Sequence, residues 1–318
     1  MSSEEEQQQH VSTEQDQRSK RALILYASYT GTCRFYAECF KLALEAAGYV
    51  VDKFNVSTPA TRAECLKKIA PADSYDVVGV GSAIAMGVFI HGLREFVEQP
   101  RFDEYFKDNL CFTFCTATSS SEGAGLTGKH MVKRGGKFVY HGFWASTHNY
   151  PPLIRTRGLV LAKEDLETPK QHADELVRRL AAGETVKPPS IALSSKLMLA
   201  VGFDDKKGGK FGFSKVTVDP SRCIGCGKCV RTCTTGAMRM GDTHIAERGP
   251  GCVGCYACYH SCPKGAIKMR YADADRSPQF QFNETYLKMI ETADLPKRKR
   301  ISKAEWDELK ARATAKPE

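Results

Sequence analysis

An α/β protein, with a doubly wound five-stranded parallel sheet followed by a small α+β domain, is what the 318-residue sequence predicts. Two observations carry the prediction. From Arg21 onward, short β-rich runs alternate strictly with amphipathic helical stretches. Beginning at Cys223 and Cys252, the runs CIGCGKCVRTC and CVGCYACYHSC then repeat one cysteine spacing twice.

The elements follow in chain order. Residues 1–20 are polar and lack periodicity, and read as a disordered tail. Five strands are expected at ALILYAS, YVVDKFNV, YDVVGVGS, LCFTFCTA and KFVYHGFWA. Five helices lie between and after them, the last at EDLETPKQHADELVRRLAAG. Nearly continuous apolar strands in that alternation imply a parallel sheet covered on both faces, and so a first domain over 21–184. The pattern lapses over 185–215, where TVKPPS and DDKKGGKFG flank IALSSKLMLAVG; this reads as a linker with a docking segment. The cysteine-rich module spans 216–271, and 272–318 reads as a basic tail ending in a short helix from Lys303 to Arg312. PKRKR in that tail has the composition of a nuclear import signal, but a solvated basic tail is the preferred reading.

Composition narrows the function classes. Hydrophobic residues at 42% and charged residues at 26% describe a folded globular chain. The longest low-polarity run, Val77 to Ile90, is too short and too rich in glycine for a membrane span. The N-terminal residues have neither the basic start nor the apolar stretch of a signal peptide, so a cytoplasmic location is expected. The net charge of +9 is uneven: Arg222 to Arg270 holds eight Lys or Arg against two Asp or Glu, an excess suited to an anionic cofactor or partner rather than nucleic acid. Of thirteen cysteines, eight lie in the two runs, and Cys33, Cys39, Cys65, Cys111 and Cys115 read as buried thiols.

In Cys-x2-Cys-x2-Cys-x3-Cys, the first three thiolates can wrap one face of a cube-shaped cluster while the fourth is carried away on a helix. Zinc is the competing reading, since paired Cys-x2-Cys units also build structural zinc sites. Two identical four-cysteine runs, with Gly225, Gly227 and Gly254 permitting tight turns and cations nearby, fit iron-sulfur better. The stretch from Val216 to Arg270, including SCPKGAI, resembles bacterial-type ferredoxins with two [4Fe-4S] clusters. That resemblance implies crossed ligand sets: Cys223, Cys226, Cys229 and Cys262 for one cluster, and Cys252, Cys255, Cys258 and Cys233 for the other. Thr234 departs from the pattern, standing where the family usually has proline, as Pro263 does after Cys262.

The turn after the first strand, ASYTGTCRFYA, opens the first helix. Free amides and the helix dipole there favour an anion, and short hydroxyls add donors. Helix capping by Ser28 or Thr30 is the alternative reading. The loop resembles the FMN phosphate loop of flavodoxins, with Cys33 where the last threonine belongs. GSAIAMGVF and TATSSSEGAG resemble the two flavin-ring loops of that fold. The resemblance implies FMN held by Ser28, Tyr29, Thr30, Gly31, Thr32 and Cys33, then by Ser82, Ala83, Met86, Gly87 and Phe89, then by Thr116, Ala117, Thr118 and Ser119, with Tyr150 of STHNY as a lid. As a whole, 21–270 is similar to fusions of a flavodoxin-like domain with a two-cluster ferredoxin domain. The expected function is electron transfer between FMN, the clusters and a redox protein. The alternative is a flavin-dependent oxidoreductase acting on a quinone or porphyrinogen, because GSAIAMG also resembles a loop of flavodoxin-like protoporphyrinogen dehydrogenases. A protein with a degraded flavin site, acting only through interactions, is the third class.

Overall fold

A computed structural model describes residues 18–85, 88–117, 122–147, 160–191, 216–269, 280–293 and 300–315. The first domain is a sheet of parallel strands β1 (Arg21–Ala27), β2 (Val50–Asn55), β3 (Val77–Ala85), β5 (Leu110–Ala117) and β6 (Lys137–Ala145), in the order β2-β1-β3-β5-β6. A two-residue strand, β4 (Val88–Phe89), pairs antiparallel with the end of β3. Counting parallel strands alone, the order is 2-1-3-4-5, the flavodoxin-like form of the doubly wound sheet.

Alternation along β1 shows why the strands are apolar throughout. Ala22, Ile24 and Tyr26 enter one buried cluster, while Leu23, Leu25 and Ala27 enter the other. The first face is covered by α1 (Thr32–Ala46) and, after α2 (Pro59–Lys68), α3 (His91–Val97), α4 (Asp103–Phe106) and α5 (Glu122–Lys133), by α6 (Glu167–Ala182). Glycines at 79 and 81 in β3 are required by packing: a Cβ at either would overlap the ring of Phe112 or Phe114 on neighbouring β5.

Three expectations about organisation change. Arg18 is not loose but pairs with Asp76 at 2.8 Å. The segment after α6 lies on the first domain, with Val186 N–H bonded to the Phe138 carbonyl at 2.7 Å and Ile191 buried; the rest of IALSSKLMLAVG lies outside the described residues. The supposed basic tail contains two helices, α9 (Glu284–Thr292) and α10 (Lys303–Thr314), which follow α7 (Lys228–Arg231) and α8 (Ala257–Ser261) of the second domain. Phe280, Phe282, Tyr286, Met289, Ile290, Trp306 and Ala313 are buried in the same cluster as α1 and α6. Apolar anchors outweigh the flanking charge there, because each buried aromatic removes 150–250 Å² or so from water.

The second domain pairs β7 (Val216–Val218) with β10 (Ile267–Met269), and β8 (Met238–Met240) with β9 (Ala246–Arg248), both antiparallel. Two short helices, α7 (Lys228–Arg231) and α8 (Ala257–Ser261), carry the third cysteine of each run.

The sheet interior also carries a pH-sensitive group. His141 on β6 is largely buried, with Nδ1 3.0 Å from Thr113 Oγ1, Nε2 4.0 Å from Cys115 Sγ, and the His172 ring close enough to oppose a second positive charge. Burial holds its pKa down to about 4. A depressed histidine contributes stability that is full above the unfolded value of about 6.5 and lost as pH falls toward 4, here about 3 kcal/mol. Denaturant unfolding of the metal-free chain should show that loss, and His141→Gln should remove it.

Candidate functional site: a cysteine-lined module against the carboxyl ends of the sheet

The two cysteine runs fold as a pseudo-repeat. Left-handed backbone recurs at matching positions: Gly225 and Gly254 at φ 67 and 67, Gly227 and Tyr256 at 65 and 60, Gly236 and Gly265 at 74 and 61. These turns send the chain back toward its own thiols. The amide of Met238 donates to Cys233 Sγ at 3.3 Å, and that of Ala266 donates to Cys262 Sγ at 3.2 Å.

The grouping of thiols is crossed. Cys223, Cys226, Cys229 and Cys262 border one cavity. Burial raises the Cys229 thiol's pKa, and Cys262, Cys223 and Cys226 add to the rise because each is near enough to repel its charge. Cys258 is raised further, by burial first and then by Cys255, Cys252 and Cys233. Burial also pushes Cys255 up to about 11, against the Thr234 hydroxyl, which pulls it down. Among the described residues, no group of three or more His, Cys, Asp or Glu side chains closes on a point that a single ion could occupy. A zinc site needs all its sulfurs within ~2.3 Å of one atom. Thiols spread around a cavity instead suit a polynuclear cluster, so the donor set fits iron-sulfur. The two sets differ in exposure: the first has one buried thiol, Cys229, and one exposed, Cys226, whereas the second has two buried, Cys233 and Cys258, and none exposed.

The second set lies against the first domain. Ala257 and the partly buried Cys255 share a cluster with Leu25, Ala27 and Tyr29. Arg62 on α2 spans the junction, its Nη1 donating to the carbonyls of Val56 and Ser57 at 3.3 and 3.4 Å and its Nη2 to that of Thr234 at 3.3 Å. His260 on α8 accepts the Phe280 amide at 2.9 Å, and the chain then runs to Phe282, whose amide donates to the Thr30 carbonyl at 2.6 Å.

Strand register brings the candidate loops together. Ala27 pairs with Ser82, Ala83 with Thr116, and Ala117 with Ala145, so the carboxyl ends of β1, β3, β5 and β6 are adjacent. In the loop, Ser28 Oγ accepts the Gly31 amide at 3.1 Å, and the Ser28 amide donates to Ser57 Oγ at 2.9 Å. Gly31 caps α1 at φ 98 without a side-chain bond, which leaves the first-turn amides unsatisfied within the helix. Two buried donors nearby have no partner among the described residues: Thr32 Oγ1, and the indole Nε1 of Trp144, whose ring packs on Phe35 of that first turn. Orphaned donors beside a helix N-terminus fit a phosphate. Tyr29 and Thr30 are buried at 8% and 7% exposure, and Arg34 is exposed.

Other candidates fall elsewhere. The Cys33 thiol is 1% exposed in the core, its pKa raised by burial and then by Cys115, so it is a neutral packing group and not a donor facing the loop. Phe89 is fully buried on β4, because GSAIAMGVF is not an open loop: β3 runs on to Ala85 and turns back. Ser82 is spent on that turn, donating to the Ala83 carbonyl at 2.8 Å and accepting the Ile90 amide at 3.2 Å. Thr116 is buried and Ala117 half-buried at the strand ends. Met86, Gly87, Thr118, Ser119 and Tyr150 lie outside the described residues. Sequence reasoning missed Phe282, Arg62 and Ser57. The alternation QFQFN, with Asn283 capping α9 through the Tyr286 amide at 3.0 Å, was the legible sign of the first.

A family model described as a 4Fe-4S dicluster domain matches residues 216–269. The chain therefore fuses a flavodoxin-like domain to a 4Fe-4S domain. Iron-sulfur redox chemistry, with electron transfer as its class, follows for the fusion. Solved structures similar to the first half include a flavodoxin from the domain Archaea (14% identity, 51% of this chain and 99% of that one, TM-score 0.37). A two-electron reduced Megasphaera elsdenii flavodoxin is another (15% identity, 49% and 98%, TM-score 0.35). The rubredoxin oxygen:oxidoreductase of Desulfovibrio gigas matches at 14% identity over 52% of this chain and 37% of that one, with a TM-score of 0.38. No curated protein matches the chain. Among the described residues, no helix of the fusion is long and apolar enough to cross a membrane.

Proposed function

We propose that the fusion is an electron relay holding FMN on the loop from Ser28 to Cys33 and two [4Fe-4S] clusters on the crossed cysteine sets, and that it exchanges electrons with a separate redox protein. The observation that supports this best is the seating of the second cysteine set: Cys255 and Ala257 pack into the core beneath the phosphate loop, and Arg62 ties that set to the β2–α2 turn. The clusters supply one-electron exchange, and the flavin can take one electron or two.

The chain's own residues bind, orient and shield. First-turn amides, Thr32 Oγ1 and Trp144 Nε1 would hold the phosphate, and the amide of Phe282 ties the loop to the C-terminal segment. The Met238 and Ala266 amides orient Cys233 and Cys262, and two thiols of the second set, Cys233 and Cys258, are buried. Cys226, exposed beside Ile224 at 60% exposure, makes the first set the one open to a partner protein.

Stoichiometric reduction by a low-potential ferredoxin, set beside turnover assays with quinones, tests the proposal. Rapid one-for-one exchange with the protein donor and no sustained quinone turnover is expected. Sustained quinone reduction would make the protein an oxidoreductase instead.

A further inference from the structure

The pseudo-repeat breaks at one informative place, the residue after the last cysteine of each run. Pro263 follows Cys262 and is exposed, whereas Thr234 follows Cys233 and is 2% exposed. Thr234 Oγ1 lies 3.5 Å from Cys255 Sγ, within the reach of a hydrogen bond to sulfur. Its carbonyl is held by Arg62, whose guanidinium is itself fixed by Val56 and Ser57. A proline could supply no such hydroxyl.

Exposure alone would order the two sets the other way. Adding an electron adds negative charge, and a buried site charges at a greater desolvation cost than one open to water. The second set, with Cys233 and Cys258 buried, should therefore accept an electron less readily than the first, with Cys226 in solvent. Hydrogen bonds to the ligand sulfurs act in the opposite sense and raise the reduction potential, and a fixed cation nearby does the same.

We infer that Thr234, kept in place by Arg62, raises the electron affinity of the second cysteine set and so offsets the cost of burying it against the flavodoxin-like domain. The inference rests on the crossed-cluster reading proposed above. The exchange it biases is a one-electron one: the set that gives up the electron is oxidised, the set that takes it is reduced, and no proton or covalent bond changes hands.

The test is a redox titration of the reconstituted full chain, followed by paramagnetic resonance, with each signal assigned through Cys226→Ser and Cys252→Ser. Thr234→Val should shift the electron equilibrium between the sets roughly fivefold away from the second, about 40 mV at 59 mV per tenfold, with the first set unmoved. Thr234→Ser, which keeps the hydroxyl, should stay near the wild type. Thr234→Ala removes the hydroxyl with less bulk and gives the same reading should valine lower the iron content. Unmoved midpoints at full iron content overturn this inference alone, as does a serine variant that shifts as far as valine. A wild-type chain that takes up no iron overturns the cluster reading and the inference together.

Discussion

Changing Cys262 to serine is expected to remove the cluster held by Cys223, Cys226 and Cys229, some thirty residues earlier, and with it about half the iron. Changing Cys233 should remove the other. The reason is the arrangement of the thiols: Cys262 borders the cavity of the first run, and Cys233 stands beside Cys258, Cys255 and Cys252 of the second. Bound metal contributes folding free energy to a module this small, so each variant should also loosen 216–269. The flavodoxin-like domain has a core on both faces of its sheet and should remain folded. Paramagnetic resonance of the reduced variants reads which signal is lost. Damage confined to the run carrying the mutation would mean that each run closes its own cluster.

Gly31→Val should empty the flavin site while leaving the iron in place. Gly31 has φ 98, where a side chain is strained by ~1–3 kcal/mol. An added Cβ would overlap the backbone carbonyl oxygen of Phe282. A backbone atom cannot swing aside, so either the loop deforms or the segment from Phe280 to Phe282 lifts. Lifting forfeits the burial of Phe282, worth ~1.5–3 kcal/mol. Together these costs predict a fall in FMN affinity of roughly a hundredfold, at ~1.4 kcal/mol per tenfold. Limited proteolysis should then cut the chain between the second domain and α9. Gly48→Val is the control, because Gly48 has φ 86 but nothing within 4 Å of an added Cβ. It carries the strain without the collision and should keep its FMN.

The parts of this molecule that were legible in the sequence are those whose cause is local. Two-faced burial writes itself as continuous apolar strands, and ligand spacing writes itself as a cysteine pattern. Pairings between distant segments leave weaker marks. The run from Val77 to Ile90 is equally apolar whether it continues as a loop or folds back, so the hairpin of Ala85 with Val88 was not visible. Cys33 matches the phosphate-loop position of a threonine and also reads as a buried thiol, and its 1% exposure in the core decides for the second reading. Thr234 and Cys255 lie in different runs, and their approach depends on the crossed fold. In the C-terminal segment, lysines and arginines obscured a few large anchors, Phe280, Phe282, Tyr286 and Trp306, which bind it to the first domain. That segment links His260 of the cysteine module to Thr30 of the phosphate loop, so the end of the chain joins the two halves.

We propose that one chain holds a flavin and two clusters in contact-range domains. Purifying it without oxygen and counting iron, sulfide and FMN against protein, with the absorption spectrum of the same sample, tests that claim most directly. About eight iron, about eight sulfide and about one FMN per chain are predicted. About four iron, zinc in their place, or iron without any flavin would contradict it.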